Sequence, residues 1–204
     1  MYKDDQPRIA EFAQSNPDNM HKTLTFVLCT IQQQLSVVPE CMADIDRTGG
    51  DSRFLWGFKG PAYANLCENI DALYEAAMAT SRGYASPDTR RDELLHLFAS
   101  LQGFGLVKGG FAVQLIFGQS GCIDSHNLAM YEVNPYEVKA SRFKAAKPKT
   151  RSRLIGQYHD LCDDIGGTEF LWDNWCRHVA VNTSSPFYTA DEASRFHVHA
   201  IVGE

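Results

Sequence analysis

The chain has 204 residues, of which 44% are hydrophobic, 22% charged and 11% aromatic, a balance that indicates one globular domain and excludes disorder throughout. The formal net charge of −6 argues at first against nucleic acid as a partner. The lack of any run of about 18 uncharged apolar residues excludes a membrane-spanning helix.

Helical periodicity dominates the chain, and proline marks where several helices begin. Pro7 falls in the first turn of one helix, and Ser86 with Pro87 has the cap and first-turn chemistry of another. Residues 45–61, rich in Gly, Asp and aromatic side chains, indicate a loop. The predicted helices cover about residues 5–12, 21–38 (ended by Pro39), 62–77, 87–101, 106–117, a stretch from 124, 150–165, 168–180 and a short capping-box helix at 189–192, while 196–199 fit helix and extended chain equally.

These elements predict an all-α fold in one helical domain over residues 1–204. Within it we distinguish a hairpin and catalytic segment at 95–135, a basic segment at 139–153 and C-terminal helices at 150–204. The polar N-terminus lacks the apolar stretch of a signal peptide, so we expect a cytoplasmic protein.

Six cysteines are scattered along the chain, and no two of them form a CxxC pair. In a chain of this size that spacing favours reduced, mostly buried thiols over a disulfide framework. It also disfavours zinc held by cysteine pairs. His197 and His199 have no carboxylate or cysteine placed convincingly with them, so we expect structural histidines and no metal site.

The most informative stretch runs from Leu101 to Leu115, where a helix, a hydrophobic-Gly-hydrophobic-Gly turn and a very apolar helix follow one another. Gly103 and Gly105 permit a tight hairpin whose exposed backbone N–H groups, at a helix N-terminus, suit a phosphate. The glycines at 109 and 110 would let the two helices pack closely. Taken alone, such a turn is more often a plain αα-hairpin with a glycine C-cap.

Nineteen residues after Gly105 comes Asp124, in a hydrophobic-Asp-x-His segment. A glycine hairpin, an apolar helix and this segment together resemble the helix-hairpin-helix DNA glycosylase superfamily. Residues 28–34 are similar to the family's early helix, which ends in a polar turn near the DNA. The resemblance covers about residues 20–135 and implies two helical lobes around one cleft.

The chain also departs from the family. Bifunctional members place a lysine two residues after the second hairpin glycine, where this chain has Val107. Lys108 follows it, rotated by about 100° on the helix, so we expect Lys108 to face phosphates or solvent and disfavour lysine-dependent strand cleavage. The cysteine-rich loop that holds an iron–sulfur cluster in some members is absent, so no cofactor is predicted apart from a monovalent cation that the hairpin would accommodate.

The resemblance makes Asp124 the catalytic carboxylate. Breaking an N-glycosidic bond builds positive charge on the sugar, and an ionised carboxylate stabilises that charge or takes a proton from the attacking water. The alternative role is a helix cap, since Asp-Ser-His-Asn has good capping chemistry. The two roles are compatible.

A base that leaves the DNA stack needs aromatic walls to receive it. Trp56 and Phe58 in the loop and Trp172 in a late helix are candidates, although the Trp172 helix also fits a core-facing stripe. Gln33 and Gln34 would fill the hole that a flipped base leaves, or form an ordinary polar helix end.

Basic residues concentrate between 139 and 153, where seven of them stand without an acid, so this segment carries +7 and the remainder −13. The local field decides where a polyanion docks, so we expect the segment to bind DNA phosphates beside the hairpin; the alternative is a solvated basic linker. The predicted DNA-contacting residues are Gly103, Gly105, Lys108, Lys144, Lys147, Lys149, Arg151, Gln33 and Gln34.

Three functions stay open. The first is a base-flipping enzyme that binds duplex DNA and hydrolyses the N-glycosidic bond of a damaged or modified base, as in DNA repair. The second follows from small divergent members of this fold, bacteriophage ones among them, which transfer an amino acid or amine onto thymine- or 5-hydroxymethyluracil-derived bases; Glu132 and Asp173 would then add acid–base chemistry. The third is a non-catalytic DNA-binding module. The base recognised and the oligomeric state do not follow from the sequence.

Overall fold

A computed structural model describes residues 5–83, 86–134, 142–182 and 196–203. Within these ranges every regular element is helical, which confirms the all-α prediction. The helices are α1 (Asp5–Ser15), α2 (Pro17–Cys29), α3 (Val38–Thr48), α4 (Lys59–Gly83), α5 (Pro87–Ala99), α6 (Leu106–Phe117), α7 (Ser125–Met130), α8 (Pro148–Ile165), α9 (Gly167–Asn182) and α10 (Phe196–Ile201), with 3-10 turns at Leu35–Val37 and Gly49–Asp51. Residues 196–199 are therefore helical, whereas the helix predicted at 189–192 lies outside the described residues.

The predicted helix starts depend on local capping chemistry that the structure contains. Ser86 accepts a hydrogen bond from the backbone N–H of Thr89 at 3.4 Å, with Pro87 in the first turn of α5. Asn16 does the same for α2, where its side chain accepts from the N–H of Asn19 at 2.9 Å. Each contact spans only three residues. The sequence predicted the Ser86 cap, whereas the Asn16 cap, which starts α2 at Pro17 and not at residue 21, was not predicted.

The single helix predicted over 21–38 is wrong. The chain leaves the helical path after Cys29, where Thr30 turns its hydroxyl onto the carbonyl of Val27 at 2.7 Å and Gln32 adopts a φ of +51°. Pro39 lies in the first turn of α3 and does not end a helix. The apolar spacing continued across the break because both helices pack on the same core. The loop predicted from residue 45 is also partly helical, since α3 runs to Thr48.

Helix α6 lies at the centre of the molecule and packs against α1, α2 and α5. Its residues from Phe111 to Ile116 are all inaccessible to solvent. One apolar cluster covers its face towards α1, α2 and α4, and a second joins it to α5, α8 and the segment after it. The cysteines are free thiols, five buried and only Cys67 exposed, which confirms the prediction for them.

Candidate functional site

The glycine turn joins α5 to α6 as a close-packed hairpin. Gly103 and Gly105 have φ values of +84° and +111°, a region that favours glycine, and the N–H of Gly109 closes the first turn of α6 on the carbonyl of Gly105 at 2.7 Å. A Cβ at Gly109 would lie 2.6 Å from the backbone nitrogen of Ala99 in α5. The predicted close approach of the two helices is therefore present at Gly109. Gly110 packs elsewhere, against Gly121 and Tyr158.

The hairpin rests on the start of α4. A Cβ at Gly103 would meet the Cβ of Ala62 at 2.8 Å and the ring of Phe58 at 3.4 Å. Phe58 and Trp56, two of the predicted pocket walls, remain 40% and 47% exposed although they are large and apolar. The structure thus places both rings in the segment that packs on the hairpin, with surface left to contact a ligand.

The chain leads back along α6 before it reaches Asp124. After α6 the chain runs back along the helix, and the Tyr158 hydroxyl holds it there by accepting from the N–H of Ile123 at 3.1 Å and donating to the carbonyl of Gly121 at 2.7 Å. Gly121 lies beside Gly110, and Ile123 shares an apolar cluster with Leu106, the first residue of α6. These contacts direct the chain at Asp124 towards the hairpin.

The side chain of Asp124 caps α7. Its Oδ1 accepts from the backbone N–H of Asn127 at 3.2 Å, and its carbonyl accepts from Leu128 at 2.9 Å. The capping role weighed for this residue is therefore present. The carboxylate is half-buried, so the cap leaves part of it at the surface.

The charges of Lys108 and Asp124 both influence the pKa of the buried thiol of Cys122. Burial raises the pKa of Cys122 to about 12, the positive charge of Lys108 opposes that rise, and the negative charge of Asp124 adds to it. Cys122 therefore stays protonated at neutral pH. The two opposite charges lie around it, on α6 and at the start of α7.

Lys108 does not point freely into solvent as expected but packs partly inward, and its contact with phosphates stays a prediction. It is half-buried, its Nζ donates to the Thr30 hydroxyl at 3.3 Å, and its ammonium lies 5.6 Å from the centroid of the Phe111 ring. The rotation of about 100° from Val107 turned it to another packed side of the helix, because α6 is covered by neighbours on most of its circumference.

Lys59, the first residue of α4, is a functional candidate that the sequence did not reveal. It is only 1% exposed, its Nζ donates to the carbonyl of Cys29 at 3.5 Å, and its ammonium lies 5.2 Å from the Trp56 ring. Burial lowers the pKa of Lys59, and the charge of Lys108 lowers it further, whereas the thiols of Cys29 and Cys41 oppose the shift. No carboxylate forms a salt bridge with it in the parts of the chain described. Nothing in its local sequence marks a lysine as buried.

Gln33 and Gln34 follow Thr30 in the turn between α2 and α3, half-buried and exposed respectively. They stand close in the chain to the hydroxyl that holds Lys108. The turn begins beside the amine pair, by which we mean Lys59 and Lys108, because Lys59 contacts Cys29 and Lys108 contacts Thr30.

Part of the basic segment contacts the hairpin. The Nζ of Lys144 donates to the carbonyl of Leu101 at 2.7 Å, and burial lowers its pKa. Arg151 donates to the carbonyls of Ala146 at 3.0 Å and Lys144 at 2.6 Å. Lys144 and Arg151 thus donate hydrogen bonds to backbone carbonyls. Lys147 and Lys149, at the start of α8, are exposed. Lys139 lies outside the described residues.

Trp172 does not stand at this site, so its prediction as a base-pocket wall is wrong. It is 3% exposed in the core and borders a cavity of about 190 Å³ together with Gln6 and Gly118. Gly118 follows the last residue of α6, about 18 Å along the helix from the hairpin. Trp172 instead packs in the core, which is the alternative that the apolar stripe of its helix indicated.

A Ser–His–Asp chain lies beyond the C-terminal end of α6. His159 Nε2 is 3.1 Å from the Ser120 hydroxyl, and His159 Nδ1 is 2.6 Å from Asp92 Oδ1. An ionised carboxylate only accepts, so Nδ1–H donates to Asp92 and Nε2 accepts from Ser120. Ser120 also has a φ of +64°.

The burial of Ser120 argues against hydrolytic activity at the Asp92–His159–Ser120 hydrogen-bond chain. In the Asp92–His159–Ser120 chain the serine is 0% exposed and the aspartate side chain 43% exposed. A nucleophilic triad needs the reverse, because the serine must reach the substrate. The chain instead joins α5, the 118–121 turn and α8, next to a two-pronged ion pair of Arg91 with Asp163 at 2.8 and 2.9 Å. It supports the segment that leads to Asp124.

In the described residues, no group of three or more His, Cys, Asp and Glu is arranged to hold a metal, and the side chains of His197 and His199 lie outside them. No helix there has the length and apolarity needed to cross a membrane. The chain matches no protein-family model, no curated protein and no solved structure.

Proposed function

We propose that this chain is a DNA-binding enzyme that takes one base out of the duplex and hydrolyses its N-glycosidic bond. The observation that carries the proposal is that the chain leading to Asp124 packs back along α6, whose start carries the glycine hairpin and two exposed aromatic rings. The hairpin supplies backbone N–H groups for a phosphate, Asp124 supplies negative charge, and Trp56 with Phe58 offers faces to an unstacked base.

Asp124 would act on the sugar. As the bond to the base breaks, positive charge grows on the deoxyribose, and a fixed carboxylate stabilises it more strongly in a partly dry site than in water. The N–H of Asn127, which donates to Oδ1, holds the carboxylate in place. Water then adds to the sugar carbon and gives up a proton to a general base, a role that the Asp124 carboxylate fits.

The amine pair favours a second candidate function, the transfer of an amine or amino acid onto an activated base in DNA. Two lysines without a carboxylate partner in the described residues suit a site where negative charge arrives or develops, such as an anionic leaving group. Trp172, which lies in the same helix as Asp173, is core and offers this branch no pocket wall. The remaining support is the charge of Lys59 and Lys108.

Product analysis distinguishes these functions. Duplexes carrying uracil, alkylated, oxidised or 5-hydroxymethylated pyrimidines are incubated with the chain, with and without a mixture of amino acids and amines, and the nucleosides are weighed by mass spectrometry. We expect free base. A nucleoside of higher mass that forms only with the amino acids and amines would indicate transfer and not hydrolysis. Tight DNA binding without any product would indicate a non-catalytic DNA-binding module.

The variant Asp124→Asn tests the carboxylate. Asparagine is also a good N-cap, so α7 stays capped and the protein folds, while the rate of product formation falls by at least about 100-fold. Asp88→Asn, at an exposed position in the first turn of α5, is the matched control and keeps the wild-type rate. Equal rates in both variants would remove Asp124 from the reaction.

A further inference from the structure

A separate polar cavity lies between the first half of α2, the end of α3 and the start of α4. Its volume is about 350 Å³, and its wall includes Thr25, His21, Lys22, Asp18, Asp46 and Tyr63. None of these residues belongs to the hairpin site. The cavity therefore calls for its own explanation.

Thr25 is an unsatisfied group in the cavity wall. It is 3% exposed, and its hydroxyl has no hydrogen-bond partner in the part of the chain that the structure describes. Thr23, two residues earlier in the same helix, instead donates to the carbonyl of Asn19 at 2.9 Å. A buried hydroxyl without a partner is unfavourable, so this position fits a polar ligand better than a sealed core.

The charges around the cavity are also unpaired. Asp18, Asp46 and Lys22 form no salt bridge or hydrogen bond within the described residues. Burial lowers the pKa of His21 against the opposing charges of the two aspartates, so its ring is neutral near neutral pH. Two carboxylates and one lysine leave a single net negative charge.

We propose that this cavity binds a small molecule that carries a protonated primary amine. An ammonium group has three donors and no acceptor, which matches the oxygens of Asp18, Asp46 and Thr25. The ring of Tyr63 in the wall adds a face that attracts a cation. A divalent metal fits less well, because the described residues hold no group of three His, Cys, Asp or Glu suited to one.

Lys22 decides between two sources of the amine. A free α-amino acid would place its carboxylate at Lys22, whereas a diamine has no use for that charge. Titration calorimetry of the whole chain with L-alanine and with 1,4-diaminobutane tests both, with propionate as the probe that lacks an amine. Lys22→Met should weaken L-alanine binding and leave 1,4-diaminobutane unchanged or tighter.

We expect saturable binding of at least one amine, weakened at least about 10-fold in Asp46→Asn. Asp71→Asn, at an exposed position on α4 outside the cavity, is the control and binds as the wild type does. Thr25→Val keeps the shape of the side chain, raises the midpoint of thermal unfolding and lowers amine affinity.

Three results would overturn the proposal: no binding of either amine up to about 10 mM, propionate binding as tightly as the amines, or undiminished binding in Asp46→Asn. The readout involves no DNA. Failure of amine binding would not contradict the proposed hydrolysis of DNA bases, and the absence of a DNA product would not contradict amine binding in this cavity.

Discussion

Two buried polar groups flank α6, and they differ in how their hydrogen bonds and charges are satisfied. Beyond its C-terminal end, His159 has both ring nitrogens engaged, by Asp92 at 2.6 Å and Ser120 at 3.1 Å. At the hairpin end, Lys59 and Lys108 have, among the described residues, only neutral oxygens and aromatic rings as partners, at 3.5 and 3.3 Å for the oxygens.

This difference separates support from function. A satisfied buried network rigidifies the fold and joins elements that are distant in the chain. A buried lysine next to a half-buried one, without a carboxylate partner in the described residues, lowers stability, and such groups persist where activity requires them. We therefore assign the Asp92–His159–Ser120 chain to architecture and the amine pair to the site.

The largest change in stability is expected for His159→Ala. It leaves a cavity and removes both contacts of the ring, so the free energy of unfolding falls by about 2–4 kcal/mol in urea denaturation. The rate of DNA product formation per folded molecule stays the same. Asp92→Asn, at a partly exposed position, is the control and changes stability by less than about 1 kcal/mol. A folded His159→Ala protein without product would move this histidine into the site.

Lys59→Met should have the opposite effect. Removal of a buried charge that has no carboxylate partner in the described parts of the chain raises the free energy of unfolding by about 1–3 kcal/mol, while product formation falls at least about 10-fold. Arg82→Met, at an exposed position on α4, serves as the control for the loss of one positive charge. If Lys59→Met loses stability and keeps its activity, the contrast between the two ends of α6 fails.

Acid should weaken the fold through the histidines. Burial lowers the pKa of His159, although Asp92 opposes the shift, and burial also lowers the pKa of His21, both from 6.5. The unfolded chain then binds more protons, so stability is full above pH 6.5 and falls as the pH drops below it, by up to about 1.4 kcal/mol per pH unit for each proton. Denaturant unfolding between pH 7 and pH 5 measures this slope.

A variant assigns the slope to its source. His159→Asn should flatten the pH dependence, and His21→Asn should flatten it separately, while the wild-type slope contains both. Arg91 lowers the pKa of Asp163 from 3.8, so the stability from that pair is lost only as the pH falls through this more acidic range. A pH slope that survives both histidine variants would exclude them as the cause.

The smallest effect on the folded protein is expected for Lys147→Glu with Lys149→Glu. Both side chains are exposed, so the free energy of unfolding changes by about 0.5 kcal/mol or less. DNA affinity falls, and the slope of log affinity against log salt flattens by about 2 if each lysine meets one phosphate. Arg82→Glu, exposed on α4, should leave both quantities unchanged. Equal affinities would place the basic segment outside the DNA interface.

Short-range chemistry accounts for what the sequence predicted. Ser86 caps α5 through a contact three residues away, and Gly103 with Gly105 turns the chain between Ala99 and Leu106. The spacing of Asp124 after an apolar helix likewise predicted a helix start there, which α7 confirms. Each of these depends on residues that are near one another in the chain.

The errors share a different cause. The break after Cys29, the inward turn of Lys108 and the burial of Trp172 are all decided by which surfaces α6 and its neighbours cover. Apolar spacing reports that a face is buried, but not against which element it packs. Lys59 was missed for the same reason.

By itself, the sequence determined that this chain is helical and where most of its helices begin. It also determined that a glycine hairpin precedes an aspartate that caps a helix. Only the tertiary structure decided that Lys59 and Lys108 lie together and that Ser120, His159 and Asp92 form one chain. Capping, turns and periodicity are contacts over a few residues, whereas these pairings join residues 39 to 67 positions apart, and only packing brings them together.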